Sequence, residues 1–250
     1  TAGQTAPFSV VASGTPPLSY QWRKNSSPIT GATSASYTTP PTVAGDSGAS
    51  FDVQVSNSAG SLNSGTAILT VNALVVSGLT LNPATVTGGT PSTATVTLNG
   101  PAPAAGVTVG LSSGNTSAAT VPDTVTVLAN ATSATFTVTS IAGTALDSSV
   151  ITATFNGSAN ATLTVNPPAV SAVTLNPTGV IGGALSTGTI ILNGPAPPVL
   201  RGIAVSLSSS DPSVATVPTV TSVPADATSV TFPVTTLAVT SQKSAIITAT

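Results

Sequence analysis

TVTGGTPSTATVTLNGPAP at residues 85–103 is answered by GVIGGALSTGTIILNGPAP at residues 179–197, an offset of 94. The match extends outward on both sides. LTLNP (79–83) precedes the first copy and VTLNP (173–177) precedes the second. Two extra residues enter near Pro198–Arg201, and the offset becomes 96: SAATVP (117–122) faces SVATVP (213–218), ATSATFTVT (131–139) faces ATSVTFPVT (227–235), and ITAT (151–154) recurs at 247–250. A period of this length is a whole domain, not a solenoid unit of about 20–50 residues. Inside each copy, apolar and hydroxyl residues alternate. Val107, Val109 and Leu111 match Ile203, Val205 and Leu207; Ala134, Phe136 and Val138 match Val230, Phe232 and Val234. Period-two alternation describes strands with one buried and one solvated face. Clusters of Gly, Pro and Asn (NPATVTGGTP, NGPAPAAG, SSGNTS) separate them at short spacing, which predicts an antiparallel β-sandwich. Pro233 falls on an outward position. Proline brings no ladder donor, so its strand is expected at an edge or with a bulge.

Composition agrees with strands and removes much chemistry. Ser and Thr supply about a third of the 250 residues, charged residues 4%, and Glu, Cys, Met and His are absent. β-Branched side chains fit a pleated, half-buried surface. The four basic residues, Arg23, Lys24, Arg201 and Lys243, cannot assemble the patch that phosphate neutralisation needs, so nucleic acid is excluded as a partner. No apolar run reaches the roughly 18 residues of a membrane span. The start, TAGQTAPFSV, has no signal-peptide pattern. The lack of cysteine removes disulfides and thiolate metal sites without naming a compartment.

The first 72 residues are patterned differently and hold Phe8, Tyr20, Trp22, Tyr37 and Phe51, five of the eight aromatic residues. GQTAPFSVVASGTPPLSYQWRKN (3–25) followed by DSGASFDVQVSNSAG (46–60) resembles a bacterial, cysteine-free immunoglobulin-like domain. The resemblance puts Trp22 at the buried strand-C tryptophan, and Val10 and Val53 where antibody-type domains carry their disulfide. It makes Asp46, Gly48 and Phe51 a D-x-G-x-Y corner with Phe for Tyr, held by packing alone. The two repeats are similar to other bacterial Ig-like repeats of large surface and filament proteins, through VTLNP…GG…LNGPAP…ATVP. The fold class expected is all-β, as three tandem Ig-like antiparallel sandwiches: 1–72, 73–166 and 167–250.

Both ends are expected to fall inside domains. The first would lack its N-terminal strand. The third stops at Thr250, the match of Thr154, and would lack the counterparts of Phe155, Leu163 and Val165. Burying such side chains is worth roughly 1.5–3 kcal/mol each, comparable in sum to a domain's ~5–15 kcal/mol stability. The chain thus reads as a window onto a longer polypeptide. The alternative is a strand supplied by a neighbouring chain through β-augmentation.

No catalytic, cofactor or metal site is expected, and no cofactor. Without His or Cys there is no His-based triad, Cys nucleophile or zinc cluster. The acids are Asp46, Asp52, Asp123, Asp147, Asp211 and Asp226; two per repeat are too few for calcium. A glycosidase pair would need two acids to converge. Asp46 reads instead as the corner residue, Asp52 as an outward strand residue, and Asp123 and Asp211 as turn and cap positions. Gly88–Gly89 and Gly182–Gly183 lack the Lys and Ser/Thr of a phosphate loop. Trp22 reads as core rather than a sugar platform. Lys24 reads as a solvated strand end, and neither it nor Lys243 as an isopeptide lysine. Asn25, Asn115, Asn130, Asn156 and Asn160 begin N-x-S/T sequons, so glycans are possible partners.

With so little charge to guard sheet edges, the surface is expected to be covered by neighbouring subunits or glycans. The leading reading is a non-catalytic structural component of an extracellular or cell-surface filament, stalk or layer that self-associates. The alternatives are an adhesin, whose surface would be the basic loop Arg23–Ser27, and a spacer in a large secreted enzyme. The short joints VNALVVSG (71–78) and VNPPAVSA (165–172) leave little slack between modules.

Overall fold

The computed structural model describes residues 1–198 and 202–250. Arg201, and with it most of the insertion at 198–201, lies outside the described residues. The chain is all-β with several antiparallel sheets and one 3-10 turn, Ala44–Asp46, among the described residues. Strands pair only within three successive segments, and each segment has its own buried cluster.

The first segment carries β1 (Pro7–Ser9), β2 (Ser19–Lys24), β3 (Ser27–Pro28), β4 (Ser36–Thr38), β5 (Ser50–Asn57), β6 (Gly60–Asn63) and β7 (Ala67–Ile68). β1 pairs with β4. β2 and β5 form the centre of the other sheet, flanked by β3 and β6, with β7 also on β5. Trp22, Val53 and Ala32 are buried, with Phe8, Val10, Tyr20 and Tyr37 packed on them. Phe51 is buried between rings, its centroid 4.5 Å from Phe8 and 6.2 Å from Tyr37. Stacked rings there supply the packing that a corner phenol would otherwise supplement with a hydrogen bond.

Repeat one carries β8 (Val76–Asn82), β9 (Thr85–Thr87), β10 (Ser92–Leu98), β11 (Val107–Ser113), β12 (Ala119–Thr120), β13 (Thr124–Val127), β14 (Ser133–Ser140), β15 (Asp147–Thr154) and β16 (Ser158–Asn166). One sheet runs β12-β14-β10-β8 and the other β13-β11-β15-β16-β9. The alternation seen in sequence selects the core. Ala94, Val96 and Leu98 from β10 and Val138 from β14 meet Val109, Ile151, Ala153, Leu163 and Val165 of the facing sheet. β16 runs antiparallel to β15 and parallel to β9, and so closes the second sheet.

Repeat two carries β17 (Val170–Asn176), β18 (Leu185–Leu192), β19 (Ile203–Ser209), β20 (Ala215–Thr216), β21 (Val220–Val223), β22 (Ser229–Thr236) and β23 (Ile247–Ala249). Its first sheet, β17-β18-β22-β20, copies that of repeat one. Its second, β21-β19-β23, has three strands among the described residues where repeat one has five. The strand of Pro233 is interior to its sheet, not an edge, and its pairing with β18 carries no bulge. The expectation is corrected by local geometry: β20 pairs with β22 only at Thr235 and Thr236, so Pro233 has a single strand neighbour and an outward, exposed ring.

Polar groups that both repeats share explain the hydroxyls buried in their cores. Ser92 Oγ donates to the Pro83 carbonyl and Ser186 Oγ to the Pro177 carbonyl, each at 2.7 Å. Ser140 Oγ donates to Thr90 O, and Thr236 Oγ1, half-buried in the matching place, donates to Ala184 O, each at 2.6 Å. Buried hydroxyls persist because each is satisfied; an unpaired one costs about 1–3 kcal/mol.

Candidate functional site

The basic loop Arg23–Ser27 was the one surface the sequence offered for recognition of a ligand. Strand register neutralises it. Arg23 lies directly across from Asp52 in the β2–β5 ladder. Its Nε donates to Asp52 Oδ1 at 2.8 Å and its Nη2 to Oδ2 at 2.5 Å, a two-pronged pair. Lys24 Nζ donates to Asp46 Oδ1 at 2.6 Å. Lys24 is therefore tied to the corner carboxylate rather than being a solvated strand end. Asp46 also accepts the Val43 N–H through Oδ2 at 2.8 Å, which fixes the 3-10 turn. The side-chain hydrogen bond from Lys24, seconded by the Val43 N–H, holds the Asp46 carboxyl below the usual range, and the hydrogen bond from Arg23 does the same for Asp52. Both are structural ion pairs, and together they occupy both cations of the loop.

Trp22 is buried, and its Nε1–H donates to the Ser34 carbonyl at 3.0 Å. It stands in the core with Tyr37 tilted against it at 6.2 Å, so its face is not offered to a ligand. Asp211 is a turn residue as expected. Its Oδ1 accepts from Ser213 N at 3.0 Å and Ser213 Oγ at 2.6 Å, and the Ser213 hydroxyl bond is the main cause of its lowered pKa. Asn115 holds the matching place in repeat one, accepting from Ser117 Oγ at 2.6 Å. Across the sheet end, Asn115 Nδ2 donates to Asp147 Oδ1 at 2.9 Å. Repeat two puts Lys243 at the position of Asp147, where its charge is the smallest of the causes that act on the Asp211 carboxyl. Asp123 occupies the bend before β13, where its carbonyl accepts the Leu111 N–H at 2.9 Å.

Three sequon asparagines, Asn25, Asn130 and Asn156, have left-handed φ values of 49°, 63° and 51°, a conformation asparagine tolerates in turns. Asn25 Oδ1 accepts the Ser50 N–H and Asn156 Nδ2 donates to Leu74 O. Asn115 is likewise engaged, so three of the five sequon side chains are hydrogen-bonded within the chain.

The acids do not converge: among the described residues no group of three or more metal-ligating side chains forms. No described helix is long and apolar enough to cross a membrane. An open groove of about 630 Å³ lies on the first segment between Val10–Gly14 and Val55–Ser64, with Val11 and Leu62 exposed. A second, of about 330 Å³, lies on repeat two between Leu175, Val180, Val234 and Ile247. Neither brings titratable groups together in a catalytic geometry. The sequence reading missed the residues that organise the ends of the repeats: Ser92 and Ser186, and Asn99 and Asn193. The signal was present in the STATVTLNGPAP and STGTIILNGPAP match, but its purpose emerges only from the hydrogen bonds.

No family model matches the sequence, and no curated protein does. Among solved structures the chain is similar to the D0-D1 domain of Intimin, at 15% identity and a TM-score of 0.32, over 71% of this chain and 91% of that one. It is similar to a three-Ig structure of titin domains, at 16% identity and a TM-score of 0.30, over 96% and 84%. It is similar to domains 4-9 of the surface layer protein SbsC, at 15% identity and a TM-score of 0.36. That match covers 92% of this chain but 36% of SbsC domains 4-9, so the chain spans about a third of that structure.

Proposed function

We propose that this chain is a non-catalytic structural segment of an extracellular array of Ig-like modules, divided at residues 72/73 and 166/167, and that its neutral surface is covered by self-association. The observation that carries this reading is the repetition of one hydrogen-bonded framework in two successive segments with separate cores and short joints. Each segment packs a core of its own, and the chain holds no cysteine, so tension along the array is borne by ladders rather than by covalent staples. The pairing of Arg23 and Lys24 with Asp52 and Asp46 weighs against the adhesin reading at that loop. The low charge, 4% of residues, supports a surface that packs on its like rather than one that repels it.

Electron microscopy and light scattering of the purified protein over a concentration series test the proposal. The expected result is a multi-subunit assembly with regular subunit contacts. A monodisperse, unglycosylated monomer at high concentration overturns self-association.

A further inference from the structure

Two repeated motifs meet at the boundary between the repeats. Gly88 and Gly89 form the turn after β9, and the Gly88 N–H donates to the carbonyl of Asn166, the last residue of β16, at 2.9 Å. The turn thus lies where the chain leaves repeat one. Gly194 and Pro195, from the Asn-Gly-Pro-Ala-Pro loop of repeat two, are seated on it. A Cβ on Gly194 would stand 2.6 Å from Thr87 Cγ2 and 3.1 Å from the Gly88 carbonyl oxygen. A Cβ on Gly89 would overlap the Pro195 ring, with Cδ at 2.8 Å. Backbone approaches this close require glycine on both sides.

The loop is a rigid part of its own repeat. Asn193 Oδ1 accepts the Ala169 N–H at 2.8 Å, the Asn193 N–H donates to Ala169 O at 3.0 Å, and Ala196 exchanges hydrogen bonds with Ala227 and Asp226. Ala196 and Pro197 are buried. Ala169 is in the joint, so the loop is fixed at the end where the chain enters. Repeat one is built alike: Asn99 Oδ1 accepts from Val75 N at 3.0 Å, and Ala102 bonds Ala131 and Asn130. Its Gly100 also faces the preceding segment, with an added Cβ 3.1 Å from Thr1 Cβ. Gly183 repeats the left-handed backbone of Gly89, φ 95° against 84°, and an added Cβ there meets nothing within 4 Å. Ile181, in the place of Thr87, is 87% exposed.

We propose that the Gly-Gly turn and the Asn-Gly-Pro-Ala-Pro loop are the two halves of a head-to-tail joint that fixes one repeat against the next, and that Ile181–Gly183 is a seat for the same loop of a further repeat of this type. A second copy of the chain is not the occupant, because both of its loops already face the unit before them. The inference deepens the array proposed above and rests on it. Its test reads a bond within a single chain, so it can fail while self-association stands, and the reverse.

The chain has no cysteine, which makes engineered pairs unambiguous. Thr87→Cys with Gly194→Cys places the two Cβ positions 3.5 Å apart, within the roughly 3.5–4.5 Å of a disulfide. Mild oxidation is expected to give a near-complete intramolecular bond, read by mass and by non-reducing electrophoresis. The chain is then extended beyond Thr250 by a second copy of residues 155–250, with Ile181→Cys and a Gly→Cys change at the appended copy's Asn-Gly-Pro-Ala-Pro loop. The same extent of bonding is expected. Gly89→Val in the otherwise unaltered chain guards against a distorting cysteine: it is expected to free the two repeats to reorient, widening the small-angle scattering profile, while Gly183→Val leaves the profile unchanged. An unchanged profile for Gly89→Val overturns the joint, and so does failure of the first pair where circular dichroism shows that chain folded like the unaltered one. Bonding only between molecules in the extended chain, or none, overturns the seat.

Discussion

Repeat one and repeat two use the same first sheet, the same buried serine bonded to a proline carbonyl, and the same anchored loop, yet their second sheets differ. In repeat one β16 slides between β15 and β9 and buries Leu163 and Val165. Val86 of β9 is then 6% exposed, whereas Val180 in the matching place is 36% exposed. Ile151 of β15 is fully buried and its counterpart Ile247 is only partly so. The same turns and caps recur in both repeats through the same local hydrogen bonds. The depth of the core depends on that strand. The lesson is a division of labour: capping polar groups define the shape of the unit, and β16 supplies much of its apolar burial.

The largest expected effect comes from breaking that advantage. Leu163→Ala removes a fully buried side chain from β16 and should cost repeat one about 2–5 kcal/mol, read as a lower unfolding midpoint in urea. A loss well under about 1 kcal/mol would mean that β16 contributes little to the core of repeat one.

A smaller effect tests how the repeats fit one aromatic ring. Phe136 lies across from Ala94, and Phe232 across from Gly188. In repeat two the ring covers the glycine so closely that a Cβ there would overlap it. Gly188→Ala should therefore destabilise by about 1–3 kcal/mol through overpacking, despite the better strand propensity of alanine. Ala94→Gly should destabilise repeat one by less, since it only removes a methyl. Thermal melts of the two variants compare the fits directly, and a stabilised Gly188→Ala protein contradicts this packing.

The smallest effect distinguishes the turns. Asp211 has a lowered pKa, so its hydrogen bonds to Ser213 stabilise the folded turn above the ordinary carboxylate value of 3.8 and are lost as pH falls through the depressed folded value. Asn115 has no proton to gain. Amide exchange at Ser213–Ala215, corrected for intrinsic rates, should lose protection between about pH 6 and about pH 2, whereas Ser117–Ala119 should keep it. Asp211→Asn should abolish the difference.

Much of the fold was legible because period-two alternation reports which face of a strand is buried. Val109 and Val205, or Phe136 and Phe232, declared themselves from spacing alone. Pro233 did not: its outward position was legible, but whether its strand had neighbours on both sides depended on where the short β20 ended. The basic loop misled for a similar reason. Arg23 and Lys24 are adjacent to no acid in sequence, and only the β2–β5 register brings Asp52, and the corner brings Asp46, within hydrogen-bond reach.

The sequence by itself determined the strands, the all-β class and the repetition, because side-chain alternation and turn residues act over a few positions at a time. It also removed thiol and imidazole chemistry outright, through composition. Tertiary structure alone decided which charges are paired and why two glycines and a proline recur. Those outcomes depend on contacts between residues 22 to 106 positions apart, such as Lys24 with Asp46 or Gly89 with Pro195, and no local pattern encodes that distance.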